Sequence, residues 1–136
     1  MALYATTARW APHALAILRI VTALLFIEHG TMKLFGFPAM DPPMNVQLFS
    51  LFGLAAVLEA VGGLLVLLGL FTRPAAFVIS GEMAVAYFMA HAPKSFFPAL
   101  NQGDAAILFC FVFLYLVFAG PGAWSVDNAR SESRIA

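Results

Sequence analysis

The chain has 136 residues, of which 62% are hydrophobic and only 10% charged, and its mean hydropathy is +0.92. A soluble domain carries about a quarter of its residues as charged side chains, so this composition cannot cover a globule with polar surface. It points to an integral membrane protein of one domain, with the lipid bilayer as its first partner. The formal net charge is zero, which leaves no positive field for a nucleic acid, and the single cysteine, Cys110, excludes an internal disulfide and any CxxC pair.

Four apolar runs follow in order, at about 14–35, 48–71, 74–91 and 103–120. Each approaches the ~20 residues with which a helix crosses ~30 Å of hydrocarbon, and helices satisfy their own backbone hydrogen bonds there. Arg19 lies inside the first run and three runs follow it, which argues against a cleaved signal peptide. "GFPAMDPPMN" (36–45) cannot continue a helix. "FTRP" (71–74) is a tight connection that places Pro74 in the first turn of the third helix. "HAPKSFFPALNQGD" (91–104) forms the third connection, and "GPGAWS" (120–125) ends the fourth helix, leaving 121–136 as a tail. Arg9, Arg19, Arg73, Arg130 and Arg134 fall at one end and Lys33 and Lys94 at the other. By the positive-inside rule both termini are cytoplasmic. The expected fold is an all-α, four-transmembrane-helix bundle.

Polar residues inside such runs are costly and mark function or tight packing. Glu28, Glu59 and Glu82 come from three different helices at nearly one depth, Glu28 being about 5 Å from the middle of its run. All three are expected to face inwards. Ala55, Ala56, Gly62 and Gly63 lie on the face of Glu59, as expected of a closely packed seam. Gly69, near the end of the run, is expected to tolerate enlargement better. Glu59 is open to a plainer role, as a neutral acid hydrogen-bonded to the next helix. His29 and Lys33 share a helix face one turn apart, and Lys33 taken alone reads as an interface anchor whose ammonium snorkels to the headgroups.

The outer mouth adds His91, Lys94, Asn101 and Asp104, with Tyr87 one turn before His91 and able to hydrogen-bond it. Asp104 suits the N-terminus of its helix. The picture is a polar pocket open outwards above an acidic floor. The Glu-x-x-His spacing of di-iron bundles is absent, so no metal is assigned. Cys110, in "ILFCFVF", reads as a packing residue.

The segments "EHGTMKLFGF" (28–37), "LEAVGGLLVLLGLFTRPAA" (58–76), the His91 region, "NQGDAAILF" (101–109) and "GPGAWSVD" (120–127) together resemble the DoxX family of small bacterial inner-membrane proteins. The resemblance implies a four-helix membrane bundle. It also implies links to thiosulfate:quinone oxidoreduction, or to a membrane complex of superoxide dismutase and a sulfurtransferase. It carries over to His29, Lys33, Glu59 and His91, whereas Glu28 stands where the family is often aromatic and Asp104 where it commonly has Glu.

Three functions follow as expectations. The first is a redox-associated subunit that binds a quinone or similar amphipathic ligand, with protons supplied by His29, Glu59, Glu82 and His91. No haem, flavin or iron–sulfur motif is present, so electrons would come from an oxidoreductase partner or a diffusible reductant. The second is a small proton- or cation-coupled transporter, and the third a scaffold for an oxidoreductase complex. Four short helices leave little room for an internal cavity, and a homodimer fits that economy.

Overall fold

A computed structural model describes residues 2–44 and 46–133, with side chains from Thr6 onward. Every regular element among the described residues is helical: α1 (Ala2–Phe35), α2 (Leu51–Leu68), α3 (Thr72–Ala86), α4 (Pro98–Asn101), α5 (Asp104–Ala119) and α6 (Val126–Glu132). One π-helical turn, Tyr87–His91, continues α3. Two helical stretches, Thr6–Phe35 and Leu51–Leu68, are long and apolar enough to cross a membrane, and α5 is a shorter apolar helix. Helix α1 packs along α2 and α3 along α5, while α2 meets α3 over a smaller seam.

The first helix starts about three turns before the apolar run. "ALYATTARWA" is rich in good helix formers, and Pro12 removes one donor without ending the helix. Its carbonyl also accepts from Ala123 N at 2.9 Å, and His13 lies between the rings of Trp10 and Trp124. The early turns of α1 are thus held by the loop after α5. The tail is not merely an appendage, because α6 is capped by Ser125 Oγ, which accepts from Asn128 N. Pro74 sits in the first turn of α3, as its missing donor allows.

Close approach of α1 and α2 is set by small residues. A Cβ on Gly30 would lie 2.6 Å from Ala60 N and 2.9 Å from Ala56 O, backbone atoms that cannot step aside. Gly63 meets Ile27 of α1 and Gly62 meets Ile79 of α3. Ala56, Glu59, Gly62, Gly63 and Val66 are buried together, so the expected seam is present. Gly69 departs from expectation. It ends α2 at φ 66°, and a Cβ there would stand 2.5 Å from Ser125 Cβ and 3.0 Å from Arg19 Nη1. Enlargement is therefore opposed both by the left-handed backbone and by lack of space.

Arg19 is the largest correction to the sequence reading. Far from marking a boundary, it is fully buried. Its guanidinium donates to Val66 O and Leu67 O at the end of α2, and to Pro121 O, Ala123 O and Trp124 O in the loop after α5. The last carbonyls of a helix have no partners within it, and a planar fork of five donors can serve several of them together. Arg73 does the same for α5, donating to Val117 O and Phe118 O. Arg134 lies outside the described residues.

Asp127 completes this end of the molecule. Its two carboxylate oxygens accept from Phe71 N and Thr72 N, each at 2.9 Å, at the start of α3. Partial burial pushes its carboxyl upward, but the N–H donors of Thr72 and Phe71 and the charge of Arg130 outweigh this and hold it below the ordinary aspartate range.

Two outcomes are expected. Arg19→Met leaves five carbonyls without their donor and should cost roughly 3 kcal/mol or more. The thermal midpoint of purified protein in mild detergent reads this, with the exposed Arg9→Met as a control that should change little. Asp127 has a depressed folded pKa, so its contribution is present above the unfolded value and lost as pH falls through the folded one. An acid titration of the thermal midpoint should show this loss in the wild type and a flatter profile in Asp127→Asn.

Candidate functional site

At the end opposite the Arg19 lock, α1, α2, α3 and α5 diverge around a cavity of about 590 Å³. That volume is within the range of small-molecule sites, ~300–1,000 Å³, and is larger than the little room expected of four short helices. The walls are mainly apolar, with Phe26, Phe52 and Phe109 among them. The polar groups that reach it are His29, Lys33, Glu59, Glu82, His91 and Gln102. Leu54 of α2 and Val78, Val85 and Met89 of the α3 segment line the cavity and are also 49–59% exposed, so the wall continues onto the apolar outer face of the protein.

The geometry begins with Gly30. Because α1 touches the α2 backbone there, Lys33, one turn on, reaches across the seam to Glu59. Lys33 Nζ lies 2.6 Å from Glu59 Oε1, with the Glu59 side chain 3% exposed and Lys33 18%. This replaces the reading of Lys33 as a snorkelling anchor: its ammonium turns inward because a buried carboxylate is the stronger partner. Glu59 Oε2 and both oxygens of Glu82 are buried without a hydrogen-bond partner among the described residues. Two carboxyl groups from facing helices therefore border one space, and one ammonium serves one of them.

The two histidines are held by backbone. His29 Nδ1 is 2.9 Å from Leu25 O, and the ring stands edge-on to Phe109 at 5.6 Å. His91 Nδ1 is 3.0 Å from Asn101 O. The expected Tyr87–His91 hydrogen bond is replaced by a ring stack, at 6.4 Å and 19°, because the π turn widens the helix between them. In that turn Ala92 N donates to Tyr87 O, the i→i+5 bond typical of such bulges at functional sites. Tyr87 Oη instead accepts from Asn101 Nδ2 at 3.5 Å.

Asn101 organises the mouth and is 1% exposed. Nδ2 donates to Ser95 O at 2.8 Å, and Oδ1 accepts from Gly103 N at 2.8 Å. Its placement before Gly in "NQGD" is a turn signal, but a signal that says nothing of burial. Gln102 and Arg19 were not singled out by the sequence as site or lock residues either.

Three candidates lie off the cavity: Tyr87, which stacks on His91 from outside the lining, Glu28 and Asp104. Glu28 is exposed and does not line the cavity. At 3.6 residues per turn it points about 100° from His29, and the buried face of α1 is defined by Ala16, Arg19, Ala23, Phe26 and Gly30. Asp104 is the first residue of α5, exposed and off the cavity, where a negative charge suits the helix end. Among the described residues no three His, Cys, Asp or Glu side chains are grouped as a metal site.

A strongly apolar, all-helical chain with two helices long and apolar enough to cross a bilayer has the make-up of an integral membrane protein. The family model for DoxX matches residues 14–92, and the chain belongs to the DoxX family. An uncharacterized protein of Haemophilus influenzae is 45% identical over 88% of this chain and 92% of its own length. The inner membrane protein YqjF of Escherichia coli is 31% identical, over 85% of this chain and 91% of its own. An uncharacterized membrane protein of Mycobacterium tuberculosis is 26% identical, over 92% and 86%. No solved structure matches the chain.

Removing one member of a buried ion pair strands the other, at a cost of about 3–5 kcal/mol. Lys33→Met should therefore lower the thermal midpoint more than Lys33→Met combined with Glu59→Leu. A double-mutant cycle of thermal midpoints in detergent checks this, and additive losses would show that the pair does not couple.

Proposed function

We propose that the protein is a multi-pass bacterial inner-membrane protein, crossing the bilayer four times with both termini cytoplasmic. In this reading it is a redox-associated subunit whose cavity receives a quinone or similar amphipathic molecule. The observation that carries the reading is the cavity itself: a volume of ligand size, apolar walls, and ionisable groups gathered at one side. The polar head of an amphipath would meet His29, Lys33, Glu59, Glu82 and His91. Its tail would lie between α2 and the α3 segment, along Leu54, Val78, Val85 and Met89, and continue into lipid. Topology is supported by Arg9, Arg73 and Arg130 at one end and Lys33 and Lys94 at the other. The name of the Escherichia coli relative supports the inner membrane.

Proton exchange with a ligand needs titratable groups within reach of it, and Glu59, Glu82 and the two histidines meet that need. With no haem, flavin or iron–sulfur motif in the chain, electrons would come from an oxidoreductase partner. A second reading, proton- or cation-coupled transport, is favoured by one specific feature: two carboxyl groups facing one ammonium across a helix seam.

The test is mass spectrometry of lipids that co-purify with the protein in mild detergent. A quinone should be retained by the wild type and lost from Glu59→Gln and His29→Gln, because an amide cannot titrate, while folded yield is kept by His29→Gln and falls only partly in Glu59→Gln, whose amide oxygen can still accept from Lys33. Absence of any retained quinone or comparable amphipath in the wild type would overturn the reading. Proton or cation flux through liposomes in that case would establish the second.

A further inference from the structure

The hydrogen-bonding polarity of the cavity narrows the ligand further, an inference that rests on the reading of the cavity as an amphipath site. A backbone carbonyl can only accept, so the bonds to Leu25 O and Asn101 O make Nδ1 the donor in both His29 and His91. In the neutral imidazole the remaining nitrogen, Nε2, is then an acceptor. Neither ring can turn over to present a donor without giving up its backbone bond. Two helices thus deliver the same tautomer to one cavity. Glu59 Oε2 and the two oxygens of Glu82 add further unpartnered oxygens. Against these stand Lys33, whose ammonium donates one of its three N–H groups to Glu59, and the Gln102 amide, which offers donors and an acceptor alike. The free groups are therefore mostly acceptors.

We propose that the cavity selects the hydroxyl-bearing, reduced form of a flat amphipathic ligand over the dicarbonyl form, with His29 Nε2 and His91 Nε2 accepting from its hydroxyl groups. A dihydroxy ring offers two O–H donors to two fixed acceptors. A dicarbonyl ring offers only acceptors, and placing it there leaves lone pairs opposed on both sides. The phenylalanine walls accommodate either ring, so they do not discriminate. No electron transfer is needed for this preference. It is a property of binding alone.

The experiment is equilibrium dialysis of the full-length protein in detergent against a decyl-substituted benzoquinone and, under anaerobic conditions with excess dithionite, its quinol, each corrected for partition into empty micelles. The quinol should bind at least about tenfold tighter, equivalent to about 1.4 kcal/mol. A redox titration of the bound couple should then show a midpoint raised by about 30 mV for each tenfold preference. His29→Gln combined with His91→Gln weakens binding enough for the ligand to be lost on purification, but dialysis at high protein concentration should show the two affinities brought together, because glutamine presents a donor and an acceptor alike. Equal affinities in the wild type, or tighter binding of the quinone, would overturn the inference while leaving the cavity as the binding site. An unchanged preference in the double variant would overturn the role given to the histidines. Binding of neither form would remove the ligand-site reading on which the inference stands.

Discussion

One buried guanidinium ties the fold together. Arg19 bonds the end of α2 and the loop that follows α5, so a single side chain of α1 fixes the positions of elements from both halves of the chain. A charge in an apolar interior is tolerated when its donors are fully matched, and carbonyls at a helix end are the natural match because they lack partners of their own. Space at this end is short throughout: a Cβ would meet Ser125 and Arg19 at Gly69, Arg73 at Gly120, and the α1 backbone at Gly122, and all three glycines hold a positive φ. Arg73 repeats the device on α5. In each helix pair, then, an arginine on the first helix serves the open end of the second.

The cavity depends on a different constraint, the contact of two backbones at Gly30. There α1 and α2 come so close that a long cation and a carboxylate one turn away must meet. The α3 segment, less extensively packed on α2, brings Glu82 and His91 to the same space from the other side. Lys33, Glu59 and Glu82 thus meet where the seam of alanine and glycine opens into the cavity.

Much of this could be read from the residues. The helical runs, the turn at 71–74, the packed face around Glu59 and the gathering of His29, Lys33, Glu59, Glu82 and His91 follow from apolar length, proline placement and the cost of ionisable groups in lipid. What escaped depends on helix rotation and on distant partners. Glu28 and His29 are neighbours in sequence and both exposed, and only packing decides which of them lines the cavity. Arg19 looked like a boundary residue because its five partners are backbone carbonyls, which carry no side-chain signature. Lys33 was assigned to the headgroups because its partner lies 26 positions away on another helix. The π turn and Asn101's burial likewise have no local pattern that announces them.

The two ends of the molecule are mechanically unequal. Around Arg19, Arg73 and Asp127, polar bonds cross between helices and loops in several directions. Among the residues lining the cavity, the ion pair Lys33–Glu59 joins α1 to α2, helices already in backbone contact. A rotation of one helix pair against the other about the arginines would displace the cavity end most, as the end of a lever moves furthest. The seam between Leu54 and Met89 lies about four helical turns from the ends that Arg19 and Arg73 hold, at the far end of that lever.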